Sequence, residues 1–143
     1  MQVSGQCHCG AVRFTAEVDP ARVIACHCSD CQQFSGAPFR TVLPTPVSQV
    51  YIRGTPKHYV KTADSGNRRA QAFCPECGTH LYSCDVEQAK VLNLRVGCID
   101  ERARLAPTVQ IWGRSAMPWL SDLMRLPLHV QSLTSPLMGP DGP

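Results

Sequence analysis

Long apolar runs are missing from this sequence. No stretch of the 143-residue chain approaches the roughly 18 to 20 apolar residues that a membrane-spanning helix needs, so no membrane partner is expected. The opening residues, MQVSGQCHCG, lack the basic segment followed by an apolar one that marks a secretory signal. The expected compartment is therefore the cytoplasm, where thiols stay reduced. Basic clusters are equally scarce. The formal net charge is +3, and the one adjacent basic pair is Arg68-Arg69, which argues against a nucleic-acid surface. No linker and no repeat divides the chain, whose length suits one domain. Proline and glycine first concentrate at the end, in LTSPLMGPDGP. The expectation is one domain over residues 1–132 and a disordered tail over 133–143.

Helix signal is also sparse. A turn or two can follow Ser29, and another can cover PWLSDLM, where Pro118 suits a first helical turn. What the chain has instead is short strand-like runs. In AVRFTAEV, Val12, Phe14, Ala16 and Val18 alternate with Arg13, Thr15 and Glu17, the period of a half-buried strand. FRTVL, VYIR, KHYV, AQAF, HLYSC, VLNLRVG and TVQIW are similar, and RGTP, DSGN and ECG separate several of them. Hydrophobic residues make up 43% of the chain, enough for a packed core. The fold class expected is a mainly antiparallel β domain.

Cysteine is the residue in excess. There are nine, an odd number, so disulfides cannot pair them all within one molecule. In a reducing compartment, short-spaced cysteines point to metal. CHCG gives Cys7 and Cys9 before Gly10, and CPECG gives Cys74 and Cys77 before Gly78. Each is a tight turn that aims two sulfurs at one ion, with a permissive glycine letting backbone N–H groups face the thiolates. Together the two halves make one closed four-cysteine zinc site, clipping the first strand to the middle of the chain. Separate core or disulfide-bonded cysteines are the alternative.

A second group, Cys26, Cys28 and Cys31 in ACHCSDCQQFSG, is one ligand short of that. Positions i and i+2 of an extended segment project to one side, so Cys26 and Cys28 converge while His27 points away. Ser29 is then suited to cap a helix that carries Cys31 in its first turn. Three protein ligands with an open position are the pattern of catalytic zinc, and a substrate thiolate would suit a metal already held by sulfur. Alternatives stay open. A fourth ligand from Cys84, Cys98, His27, His58 or His80 would close the site, and a disulfide or an iron–sulfur cluster would replace it. Of the remaining residues, Cys98 (in phase with Leu92, Leu94 and Val96) and Cys84 (in phase with Tyr82 and Val86) read as core. His8 reads as solvent-facing. Trp112 and Trp119 read as core, with a pocket wall as their other use.

In order, GQCHCGAVRF, ACHCSDCQQFSGAPF, FCPECGTHLY and GCIDERARLAPTVQIWGRSAMPW resemble the glutathione-dependent formaldehyde-activating enzyme family, which includes centromere protein V. The resemblance runs from about residue 3 to residue 120. It implies a β-rich, Mss4-like tent of antiparallel sheets with zinc knuckles. It also implies a structural zinc on Cys7, Cys9, Cys74 and Cys77 and a catalytic zinc on Cys26, Cys28 and Cys31, two ions per chain. The activity implied is that of a carbon–sulfur lyase, reversibly joining glutathione and formaldehyde as S-hydroxymethylglutathione. The partners would be a small thiol and an aldehyde, and Arg40, Arg53, Lys57, Arg68 or Arg69 could meet the carboxylates of glutathione. Two other functions compete: a non-enzymatic zinc module that carries a thiol adduct or contacts a macromolecule, and a structural zinc protein whose second site is closed.

Overall fold

The alternation in the first third of the chain sets the layering. A computed structural model describes residues 1–63 and 66–139. Its strands are β1 (Gln2–Gln6), β2 (Arg13–Glu17), β3 (Ile24–Cys26), β4 (Arg40–Pro46), β5 (Val50–Arg53), β6 (Lys57–Thr62), β7 (Arg68–Phe73), β8 (His80–Asp85), β9 (Val91–Arg95) and β10 (Val109–Ile111). One short helix, α1, covers Ser29–Ser35, and a 3-10 helix covers Pro118–Arg125 with Pro118 in its first turn. The chain is mainly β, as its short runs predict. The expected DSGN turn falls partly on residues 64 and 65, which lie outside the described residues, as do residues 140–143 of the expected tail.

The strands form two sheets. One has the order β1-β2-β5, the other β10-β3-β4-β9-β8-β7-β6. All neighbours are antiparallel except β10 and β3, which run parallel with Ile111 opposite Cys26. One parallel pair among antiparallel neighbours fits the mainly antiparallel domain expected, though no sequence signal marked it. A parallel register is joined by a long crossover, so no local turn announces it. β4 tolerates Pro44 and Pro46 because β3 ends opposite Arg40–Val42, leaving one side of β4 unpaired beyond that point.

The core lies between the sheets. Val3, Val12, Phe14, Ala16 and Val18 meet Leu43, Ala72, Tyr82, Leu92 and Leu94 there. Side chains of a strand point alternately to its two faces, so the residues between these core positions must line the other side of the large sheet. There β4, β7, β8 and β9 contribute Arg40, Gln71, Ser83 and Arg95, polar yet buried.

Both tryptophans depart from expectation. Trp112 is 44% and Trp119 51% exposed. Trp112 follows the end of β10 and takes a left-handed conformation, φ 61°. Trp119 sits on the 3-10 helix, which buries none of its residues. Residues 128–138 fold back on themselves, with Val130 N–H bonding Pro136 O at 3.0 Å and Met138 N–H bonding Leu128 O at 2.7 Å. Among the described residues no helix is long and apolar enough to cross a membrane.

Candidate functional site

The two cysteine pairs at the chain's start and middle meet. The Sγ atoms of Cys7, Cys9, Cys74 and Cys77 all lie within 4.8 Å of one another, with Cys7 and Cys9 at 3.6 Å and Cys9 and Cys74 at 3.7 Å. Each pair sits in a tight turn. Gly10 N–H bonds Cys7 O at 3.0 Å and Gly78 N–H bonds Cys74 O at 2.9 Å, both glycines at positive φ (76° and 71°), where a Cβ would be strained. Backbone N–H groups do face the sulfurs, as that of Val12 reaches Cys7 Sγ at 3.2 Å. The Thr79 hydroxyl, 3.2 Å from Cys77 Sγ, and then the Thr79 amide pull the Cys77 thiol down to about 5.

The second cluster forms where β3 hands over to α1. Cys26 ends the strand, and Cys28, in extended conformation, is the N-cap of the helix, its Sγ accepting from Cys31 N–H at 3.4 Å. The cap is thus Cys28 rather than Ser29, because its sulfur reaches the third amide of the helix as a serine oxygen would. Cys26 and Cys28 converge at 3.5 Å, and the three Sγ atoms lie within 4.8 Å of one another. Gln32 Nε2 locks the arrangement by donating to His27 O, Pro38 O and Ser115 O at 3.0, 3.2 and 2.9 Å.

The trio's electrostatics fit a cation. The hydrogen bond from Cys31 holds the Cys26 thiol down to about 6. The same contact, with burial, pushes Cys31 up. Three thiols this close cannot all ionise beside one another, but a bound cation lifts that conflict. Soft sulfur donors at this spacing suit zinc in both clusters.

Among the described residues, no fourth ligand atom shares the trio's spacing. The candidates are occupied elsewhere. His27 is buried with Nε2 2.8 Å from Gln110 Oε1, and His58 Nε2 lies 3.1 Å from Tyr82 Oη. His80 packs against Phe34 and Phe73. Cys84 belongs to the core. Cys98 is half-buried, not on the β9 face where its phase placed it, because β9 ends at Arg95 and a 3-10 turn follows. Its Sγ faces His80 O at 3.0 Å. His8 is exposed, as expected. All nine cysteines are free.

The trio opens on a cavity of about 470 Å³. The outward face of the large sheet is its floor, and Phe34 and Trp112 are among its walls. Of the basic residues singled out in the sequence, Arg40 and Arg69 line it. Arg69 pairs with Asp85 at 2.5 Å. Arg53 instead stacks on Tyr51 in the small sheet, Lys57 is exposed, and Arg68 pairs with Glu87 on the surface. Sequence reasoning passed over Arg95. It reaches the floor only because β9 pairs with β4, Arg95 opposite Val42. Burial pushes its guanidinium down to about 9, still protonated at neutral pH. The local cue was a charged residue in phase with Asn93 rather than with the leucines of its strand.

Comparison with known proteins places this geometry in context. The family model described as glutathione-dependent formaldehyde-activating enzyme matches residues 2–115. An uncharacterised lyase of Schizosaccharomyces pombe is 27% identical over 81 residues, 57% of this chain and 56% of the yeast protein. The chain thus spans about half the length of that curated relative. The crystal structure of a Rhodobacter sphaeroides protein superposes with a TM-score of 0.58 at 20% identity, covering 75% of this chain and 98% of the other. That likeness is one of fold.

Proposed function

Because the chain belongs to the glutathione-dependent formaldehyde-activating enzyme family, we propose that it is a carbon–sulfur lyase. It would join and release glutathione and formaldehyde, with S-hydroxymethylglutathione as the adduct. One observation carries the reading: the sulfurs of Cys26, Cys28 and Cys31 gather within 4.8 Å on the wall of a cavity of about 470 Å³, beside a separate quartet. Four protein sulfurs make a closed, structural zinc site, whereas three donors leave a position for a reactant. We assign Cys7, Cys9, Cys74 and Cys77 to a structural zinc and Cys26, Cys28 and Cys31 to a catalytic one. Zinc at the trio would supply the Lewis acidity that keeps a thiol deprotonated near neutral pH. A reducing compartment such as the cytoplasm suits nine free thiols.

The chain's own residues do the positioning. The Cys31 amide fixes the Cys28 sulfur. Arg40 stands directly across the strand pair from Cys26, so its charge favours sulfur in the anionic form. Phe34 and Trp112 limit water at the cavity, and confinement of both reactants makes the addition effectively unimolecular. In the forward direction a bond forms between the thiol sulfur and the carbonyl carbon. The carbonyl π pair moves to oxygen, which takes up the proton lost by the thiol. The reverse step breaks that bond and restores thiol and aldehyde. No electrons leave the pair of reactants, so no redox partner is required. The addition also proceeds readily in water, so only a modest barrier reduction is asked of the protein.

Exchange NMR on mixtures of glutathione and formaldehyde tests this. The zinc-loaded protein should speed interconversion of free thiol and adduct, and Cys31→Ala should abolish the gain while the fold persists. Exchange no faster than in buffer would remove the lyase reading.

A further inference from the structure

Among the described residues, five basic side chains line the cavity, Arg40, Lys61, Arg69, Arg95 and Arg114, against one acid, Asp30. Three of the five have partners of their own: Lys61 bonds Asp30 at 2.6 Å, Arg69 pairs with Asp85, and Arg114 stacks on Trp112 at 5.0 Å. Arg40 and Arg95 differ. Each is only 6% exposed, and although Arg40 stacks on Phe34 at 5.5 Å, among the described residues neither forms an ion pair with a carboxylate. They lean instead on one shared acceptor, Gln71 Oε1, at 3.4 Å from Arg40 Nη1 and 2.8 Å from Arg95 Nη2. Among the described residues, Arg40 Nη2 and Arg95 Nε have no hydrogen-bond partner.

This arrangement is costly as it stands. Burying a charge is tolerated when it is paired and hydrogen-bonded, and here two like charges converge on a neutral amide oxygen. Arg40, opposite Cys26, shares the charge of the cysteine trio. Arg95 lies one strand further along the floor, within reach of the charge of Cys31 but, like Arg40, without an ion-paired carboxylate among the described residues. What the pair lacks is a planar anion able to accept from two guanidinium groups at once, which is what a carboxylate does.

We propose that Arg40, Gln71 and Arg95 form a carboxylate receptor on the floor of the cavity, and that the thiol admitted there is one that carries a carboxylate. The thiol half of this statement rests on the lyase reading above; the anion half stands on the buried arginine pair alone. Since the receptor lies beside the trio, it would hold an acidic thiol by its far end and present the sulfur to the cysteines. A thiol with no acid group would lack that hold.

Calorimetry on the zinc-loaded protein separates the two halves. The probe is S-methylglutathione, which keeps both carboxylates but cannot react, set against its diethyl ester. The acid should bind about tenfold or more tighter than the ester, the loss expected when charge-assisted hydrogen bonds go unmade. Arg95→Met should bring the ratio near one. Gln71→Glu, which hands the pair an internal carboxylate, should raise the melting temperature and weaken the acid by a similar factor. A ratio near one in the native protein, or one that neither variant changes, overturns the receptor. A protein that binds S-methylglutathione through Arg95 yet leaves adduct formation unaccelerated keeps the receptor and loses the lyase. One that accelerates glutathione and glutathione diethyl ester equally keeps the lyase and loses the receptor.

Discussion

Cys28 does two things with one sulfur. It caps α1 by accepting from Cys31 N–H, and it stands 3.5 Å from Cys26 as part of the trio. The two roles can be separated by substitution. Cys28→Ser keeps an N-cap acceptor but loses the soft donor, so metal analysis should find one zinc fewer per chain with little change in the urea midpoint. Cys28→Ala loses both and should cost about 1 kcal/mol more, the usual worth of a cap. A second residue-scale prediction concerns His80. Burial, then the charges of Arg40 and Arg95, hold its imidazole below the ordinary value, so it is bound neutral in the fold. Its folded value lies below the unfolded one of about 6.5, and the unfolded chain therefore takes up more protons as the solution is acidified. The stability it contributes is whole above about pH 6.5 and is lost as pH falls toward the folded value. Urea midpoints at pH 7.5 and 5.5 should differ less in His80→Gln than in the native chain. At this scale the sequence was legible wherever function needs neighbours in sequence: all seven clustered cysteines come from CxC and CxxC spacings. It was not legible at Arg95 and Gln71, whose partners arrive from other strands.

Strands that alternate cleanly, such as β2 and β5, could be read from their pattern, while β1 and β3, short and without turn signals, could not. Cys98 does pack against the core, but from a 3-10 turn beyond the end of β9 rather than from the strand face its phase suggested. β1 is held in place by a tight contact at Gly5. A Cβ there would stand 2.3 Å from Phe14 Cζ and 2.5 Å from Cys98 O, and a backbone carbonyl does not step aside cheaply. Gly5→Ala should therefore destabilise the protein by about 2 kcal/mol, seen as a lower urea midpoint, and loosen Cys7 two residues on. At the other edge of the fold, β10 is followed by Trp112, held at φ 61°. Left-handed backbone costs a non-glycine residue about 1–3 kcal/mol. Trp112→Gly should relieve that strain and leave stability unchanged or improved. It should raise KM while sparing kcat, because the cavity loses a wall and the trio is untouched. A stability loss above about 1 kcal/mol would show instead that the indole is mainly a packing group.

Over the whole molecule, the cysteine quartet ties β1 and β2 to the turn between β7 and β8, bridging positions 65 residues apart. Closing so long a loop around a metal contributes to folding itself, whereas the trio is formed within one short segment. Graded chelation should therefore proceed in two stages. The trio's metal should leave first with the far-UV circular dichroism intact, and the quartet's should leave later together with the fold. Simultaneous loss would contradict the division between a structural and a reactive site. A large part of this architecture was visible in advance, since motif order, mainly β content and two cysteine clusters all follow from short-range spacing. The cavity was not, because it exists only once all seven strands of the large sheet lie side by side.

The large sheet keeps its two duties on opposite sides: along β4, β7 and β9, neighbouring residues answer alternately to the interior and to the cavity. Changes in what the protein accepts can thus accumulate at every second position without disturbing the residues that keep it folded. Over evolutionary time such a scaffold can be readdressed to new molecules by small steps, and descendants sharing the cysteines should differ most in the polar residues that floor the cavity.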